Sequence, residues 1–316
     1  MALSHPRLIF GGGGIGNEFP TLDSAAELLS TLKALDVTSI DTAALYPPTN
    51  IGASETYLGK LGAAEQGFTI NTKPLALGLD AGGTLTPAAI EKSLATSYER
   101  LKLNDHKIDV LACHTADFAT PLKDQAAGFD AQYKKGLFKR LGVCNFSLPM
   151  LSEYIEICES EGYVKPTVYI GLYNILHRDI EDETVPFLRK HGIVLEAHSP
   201  SAGGFLSGSL TTGNIEGTRF AEGNIMGLHA RQLYDKPEMH RAIKYLDEIL
   251  EPEGISKTEA SYRWLCYHSQ LRETDGLVFG ASKLSQLESN VEAVRKGPLP
   301  PNIVKAIDGL LQAVSK

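Results

Sequence analysis

The sequence predicts an α/β protein, a single (β/α)8 TIM barrel with long mouth loops and an extra C-terminal helix. Three observations predict it. Short apolar runs alternate with helical patterns from one end of the chain to the other, as a parallel sheet requires. Eight such runs can be counted, the number that closes this kind of barrel. They are apolar on both faces, as strands covered by helices must be.

The runs cover residues 7–10, 38–41, 68–73, 108–114, 139–145, 167–171, 193–198 and 277–281. Between them, 23–35 reads as a helix opened by a cap-like Asp23. Thr86-Pro87 starts a second, reaching about residue 103, with proline at the first helical position, where its missing N–H is not needed. Leu148-Pro149 starts a third that ends near Gly162, and 256–267 and 284–294 follow. Two regions break the rhythm. Residues 203–235 are rich in Gly, Ser, Thr and Asn, and a loop this long in a compact domain is usually functional. The tail 298–316 holds one more helix. With no internal repeat, low-complexity tract or linker, residues 1–316 read as one domain.

Composition narrows the partners. The net charge of -8, from 30 basic and 38 acidic residues, argues against a nucleic acid or an anionic membrane. No apolar run reaches membrane-spanning length, and Met1-Ala2-Leu3-Ser4-His5-Pro6-Arg7 lacks a signal peptide's apolar stretch, so the expected setting is cytoplasmic. Cys113, Cys144, Cys158 and Cys266 form no CxxC pair and read as reduced thiols. No metal site is expected, and the oligomeric state is open, with a homodimer admitted.

Near the N-terminus, Gly11-Gly12-Gly13-Gly14-Ile15-Gly16 satisfies GxGxxG after a strand. A dinucleotide-binding reading needs a helix to open inside the motif. Pro20 would fall within that helix, at a cost of about 3 kcal/mol. The segment reads instead as a glycine turn at the barrel mouth.

Asp41, Lys73 and His114 end the second, third and fourth runs, and Tyr46 lies five positions beyond Asp41. Polar groups at the C-terminal ends of barrel strands share one mouth. A carbonyl that accepts a hydride becomes an alkoxide and needs a proton. A free tyrosine, with pKa about 10, is a poor match to neutral operation. A lysine about 4 Å away would stabilise tyrosinate by roughly 4 kcal/mol at an effective dielectric of about 20. That lowers the tyrosine by about three units, toward neutrality. Taken singly, Tyr46 reads equally as a loop tyrosine, Asp41 as a turn cap, Lys73 as a solvated strand end and His114 as a structural histidine. Together, at consecutive strand ends, they read as a proton-donor set.

With Asp41-Thr42-Ala43-Ala44-Leu45-Tyr46, Asn71-Thr72-Lys73-Pro74 and Cys113-His114 in register, the chain resembles the aldo-keto reductase superfamily. Ser54-Glu55-Thr56-Tyr57-Leu58-Gly59, Pro166-Thr167-Val168-Tyr169-Ile170-Gly171-Leu172-Tyr173-Asn174 and the run from Gly280 to Asn290 resemble its aflatoxin-aldehyde reductase branch. The resemblance implies that Tyr46 is the acid, Lys73 its modulator, Asp41 the anchor of Lys73, and His114 the group that orients the substrate carbonyl. It also implies an NADPH/NADP+ cofactor. Cys144 and Asn145 would meet the nicotinamide carboxamide. Ser199, Pro200, Ala202, Gly203, Gly204, Leu206 and Gly208 belong to a loop that would wrap the pyrophosphate. Gly280, Ser282, Lys283, Gln286 and Asn290 would take the 2′-phosphate and adenine, with Arg219 a second phosphate contact and Arg231 near a substrate carboxylate. Trp264 would pack in the core.

Three positions depart from the family pattern. Cys144 stands where serine is usual, Ile170 where a glutamine would bond the carboxamide, and His198 where a tyrosine would lie under the nicotinamide ring. An unperturbed histidine titrates near pH 6.5, so His198 is expected to change charge in the working range. The reading is an NADPH-dependent reductase of a small-molecule carbonyl. The alternative is a cofactor-binding regulatory protein of the same fold with weak turnover.

Overall fold

The structure, a computed structural model, describes residues 4–76, 82–224 and 227–314. Residues 1–3 of the N-terminal segment, 225–226 of the long loop and 315–316 of the tail, about which the sequence carried expectations, lie outside the described residues. The eight strands are β1 (Arg7–Gly11), β2 (Ser39–Asp41), β3 (Thr69–Asn71), β4 (Ile108–Cys113), β5 (Phe138–Cys144), β6 (Pro166–Leu172), β7 (Val194–His198) and β8 (Gly276–Phe279). They pair in parallel in the order β3-β2-β1-β8-β7-β6-β5-β4. The open edges meet at Thr72. Its N–H donates to the Val110 carbonyl and its own carbonyl accepts from the Ala112 N–H, both at 3.0 Å. The result is a (β/α)8 TIM barrel.

Alternation along the strands divides the apolar residues into two sets. Ile40, Ile70, Leu111, Leu141, Tyr169 and Leu195 belong to the large core that takes in the helices. Val110, Ala112, Cys144, Val168 and Ile170 form a separate cluster joined by Val194, which fills the barrel interior.

Several helices start and stop where their caps dictate. Pro87–Leu101 is opened by the Thr86 hydroxyl, which accepts from the Ala89 N–H. Leu148–Glu161 closes at Gly162, whose φ of +69° suits a residue without a Cβ. The first helix, Leu22–Ala34, is capped by Thr21 and not by Asp23, because Thr21 and Ser24 form a reciprocal pair: each side-chain oxygen accepts from the other's N–H at 3.1 Å. Asp23 sits inside the first turn. The tail forms two helices rather than one, Pro301–Asp308 and Leu310–Val314. Trp264 is fully buried, and its Nε1 donates to Asp308 at 3.1 Å, which ties the helix Lys257–Tyr267 to that tail. Ala53–Lys60, Leu122–Lys134, Thr184–Lys190 and Pro237–Leu250 are helices not foreseen in the sequence.

The glycine run is not a dinucleotide motif. Gly12–Gly14 makes a 3-10 turn, Ile15 bridges to Phe19, and among the described residues no α-helix begins before Leu22. A Cβ placed on Gly13 would lie 3.8 Å from the Tyr46 ring, so the turn packs beside that residue. Among the described residues, no helix is long and apolar enough to cross a membrane.

Candidate active site

Each candidate residue sits at or just past a strand end. Asp41 is the last residue of β2. Lys73 lies two residues beyond β3, His114 one beyond β4 and Asn145 one beyond β5, so these three have left the ladder. Lys73 and Asp41 are buried, at 2% and 4% exposure. The lysine Nζ donates to both carboxylate oxygens of Asp41 at 2.6 Å and to the Thr42 carbonyl at 3.0 Å. Those three bonds use all three of its donors. The Tyr46 ring stands between two groups, with Lys73 Nζ 5.5 Å from its centroid and the His114 ring meeting it edge-on at 5.3 Å. The four residues are therefore together.

The electrostatics differ from the sequence expectation. Burial pushes the Tyr46 phenol up to about 12 rather than down. Burial outweighs the pull of Lys73, and Asp41 and Cys144 push the phenol the same way as burial does. Burial alone would lower Lys73, but the adjoining Asp41 overrides it and raises the lysine, which stays charged. Burial, Lys73 and His198 together lower His114 to about 3, so its imidazole is neutral. Its Nδ1 is buried without a partner among the described residues.

Around the tetrad lie the other candidates. The Cys144 thiol, pushed by burial to about 12, faces the barrel interior next to Ile170, its neighbour in register on β6. Neither offers what the family's serine and glutamine would. Asn145 has φ +53°, and its Oδ1 accepts from the Leu172 N–H and faces His198 Nε2, both at 3.2 Å. His198 is lowered to about 4 by burial, then by Lys73, His229 and His177. It is therefore neutral where the sequence reading had it titrating, because burial and the charged Lys73 both resist a proton on the ring.

Ser199, Ala202, Gly203, Gly204 and Gly208 all carry positive φ between +52° and +93°. Pro200 is fixed by the Ser261 hydroxyl on its carbonyl at 2.6 Å, and Leu206 is buried. At Gly203 the small residue is required twice, since a Cβ there would also sit 2.8 Å from that of Ala230. Lys283 and Ser282 are exposed where the 12-residue helix Leu284–Arg295 begins, and that helix has no side-chain cap. Gln286 accepts from both the N–H and hydroxyl of Ser282 at 2.9 Å, and Asn290 donates to the Gly280 carbonyl at 3.3 Å. Arg219 is exposed. Arg231 is engaged within its own region, donating to the Phe220 carbonyl at 2.6 Å and to Asp235 at 3.1 Å. Ser54, Glu55 and Arg100, which lock the loop behind Tyr46, were assigned no role from the sequence. Ser54 and Glu55 fall within a segment that carries the family resemblance, but nothing local shows their partners, since Glu55 and Arg100 are 45 residues apart.

An eight-stranded barrel whose mouth gathers a phenol, a buried lysine–carboxylate pair and a neutral imidazole has the layout of an oxidoreductase acting on carbonyl groups. The Aldo/keto reductase family model matches residues 7–312, and the chain belongs to that family. It is 33% identical to an aldo-keto reductase of Pseudocercospora fijiensis over 89% of this chain and 95% of that protein. It is 32% identical to the human aldo-keto reductase family 7 member A3, over 98% and 94%. Human aflatoxin B1 aldehyde reductase member 2 is 33% identical over 98% of this chain and 88% of its own length.

Proposed function

We propose that the protein is an NADPH-dependent reductase that converts an aldehyde or ketone to an alcohol, with the proton supplied by Tyr46. The observation that carries the reading is the placement of the Tyr46 ring between the charged Lys73 and the neutral His114. The names of the relatives point the same way, toward aldehydes as the substrate class.

The residues present suit the cofactor. The left-handed residues Ser199, Ala202, Gly203 and Gly204 favour close backbone approach to phosphate. An exposed Lys283 at a helix N-terminus with no side-chain cap favours an anion such as a 2′-phosphate. When bound, the cofactor supplies the hydride. His114, held neutral, can offer one N–H to the substrate's carbonyl oxygen. Tyr46, raised by burial, arrives fully protonated, as an acid must. The transfer still runs downhill, because an alkoxide is a stronger base than a phenolate. Lys73 then faces the tyrosinate left behind and offsets part of the cost of its burial.

Loss of reduced-nicotinamide absorbance with a panel of aldehydes tests the activity. Tyr46→Phe should cut the rate by about 10²–10⁴, the usual contribution of a proton-transfer group, while NADPH still binds. A mutant that keeps most of the wild-type rate would end the assignment.

A further inference from the structure

Behind the mouth, the first three residues of helix Ala53–Lys60 are buried, with Ser54 and Glu55 both at 0% exposure. The Ser54 hydroxyl donates to the Gly12 carbonyl at 2.9 Å and pairs with the Thr42 hydroxyl at 2.7 Å, and its N–H donates to the Tyr46 carbonyl at 3.1 Å. A carboxylate at this depth needs hydrogen bonds and a compensating charge. Glu55 has both: Oε1 accepts from the Thr72 hydroxyl at 2.7 Å, and Oε2 from Arg100 at 3.3 Å. The same Arg100 nitrogen donates to the Ala44 carbonyl at 3.3 Å, two residues before Tyr46. Thr72 immediately precedes Lys73. One buried carboxylate thus grips both segments that carry the proton-donor pair.

We propose that Glu55 is a positioning residue which, through Thr72 and Arg100, fixes the spacing between Lys73 and Tyr46. It touches neither the reacting atoms nor a ligand. The proposal rests on the reading of Tyr46 as proton donor. Its physical basis is that proton transfer depends steeply on alignment, so that a misplacement of about 1 Å can cost about a hundredfold in rate.

Thr72→Val removes the hydroxyl link at nearly constant volume. It should lower kcat about tenfold or more, with the NADPH dissociation constant changed by less than about twofold, and raise the solvent deuterium isotope effect on kcat as proton transfer becomes limiting. Thr72→Ser restores the hydroxyl and should recover most of the rate. Wild-type kcat in Thr72→Val would overturn the proposal, and so would a fall in kcat with no change in isotope effect, which marks a mere loss of folded enzyme. Should Thr72→Val fail to fold, Arg100→Lys decides. It keeps a positive charge near Glu55 but cannot span Glu55 and the Ala44 carbonyl together, so kcat and isotope effect should change in the same way, and unchanged values overturn the proposal. Tyr46→Phe separates the two levels. If it is inactive while Thr72→Val and Arg100→Lys are normal, only the positioning role falls. If it is active, both fall.

Discussion

His198 Nε2 lies 3.2 Å from Asn145 Oδ1, and the arrangement fixes where the imidazole carries its proton. Asn145 Oδ1 also accepts the Leu172 N–H, so it is the oxygen of the amide that faces the ring. The neutral imidazole must then donate from Nε2, leaving Nδ1 to accept from the Ser199 hydroxyl at 3.0 Å.

The first prediction follows from that neutral state. With its pKa lowered to about 4, His198 carries no charge from pH 8 down to about pH 5.5. The ratio of NADP+ to NADPH dissociation constants should therefore stay flat across that span, whereas a ring that gained charge there would repel the cationic oxidised nicotinamide and make it rise. Fluorescence titration at several pH values measures the ratio. A several-fold rise between pH 7 and 5.5 that disappears in His198→Tyr would show that the ring does titrate there.

Lys283 carries the second. Only NADPH brings a 2′-phosphate, so Lys283→Glu should weaken NADPH binding far more than NADH binding. At an exposed site the effect should shrink as salt is added, because a Debye length of about 10 Å at 0.1 M screens it. Comparable losses for both cofactors would place the 2′-phosphate elsewhere.

The third concerns Glu196, fully buried on β7 and paired with Arg7 at 3.0 Å, its Oε2 without a partner among the described residues. Burial raises its pKa from 4.5 to about 7, against the pull of Arg7. A carboxyl raised on folding binds its proton more tightly in the native state. Its contribution is therefore favourable below pH 4.5 and is lost as pH rises to 7, by an amount of order 3 kcal/mol at most. Glu196→Gln cannot ionise. Denaturant melts at pH 8 and pH 6 should show the wild type gaining stability relative to this variant as pH falls. Taking the difference removes the histidine terms common to both proteins. A constant difference would mean that Glu196 is already charged at pH 6.

Strand positions were legible because buried parallel strands need unbroken apolar runs, and all eight expected runs lie within two residues of an observed strand at both ends. Helices such as Leu122–Lys134 and Pro237–Leu250 carry no side-chain cap hydrogen bond at their N-termini, so the local signal that marked Thr86 and Ser256 was missing there.

The sequence by itself determined the barrel and which residues meet at its mouth. Eight unbroken apolar runs alternating with helices close into a parallel barrel, and that closure brings Asp41, Lys73 and His114, at the ends of neighbouring strands, together beside Tyr46. Only the tertiary structure decided their charge states. Lys73 pulls Tyr46 down as expected, but the loss of water around the phenol outweighs that pull and reverses the net sign. The neutral His198 and the Glu55 clamp were hidden for the same reason. Desolvation and partners distant in the chain, such as Thr72 and Arg100, 17 and 45 residues from Glu55, exist only once the chain has folded.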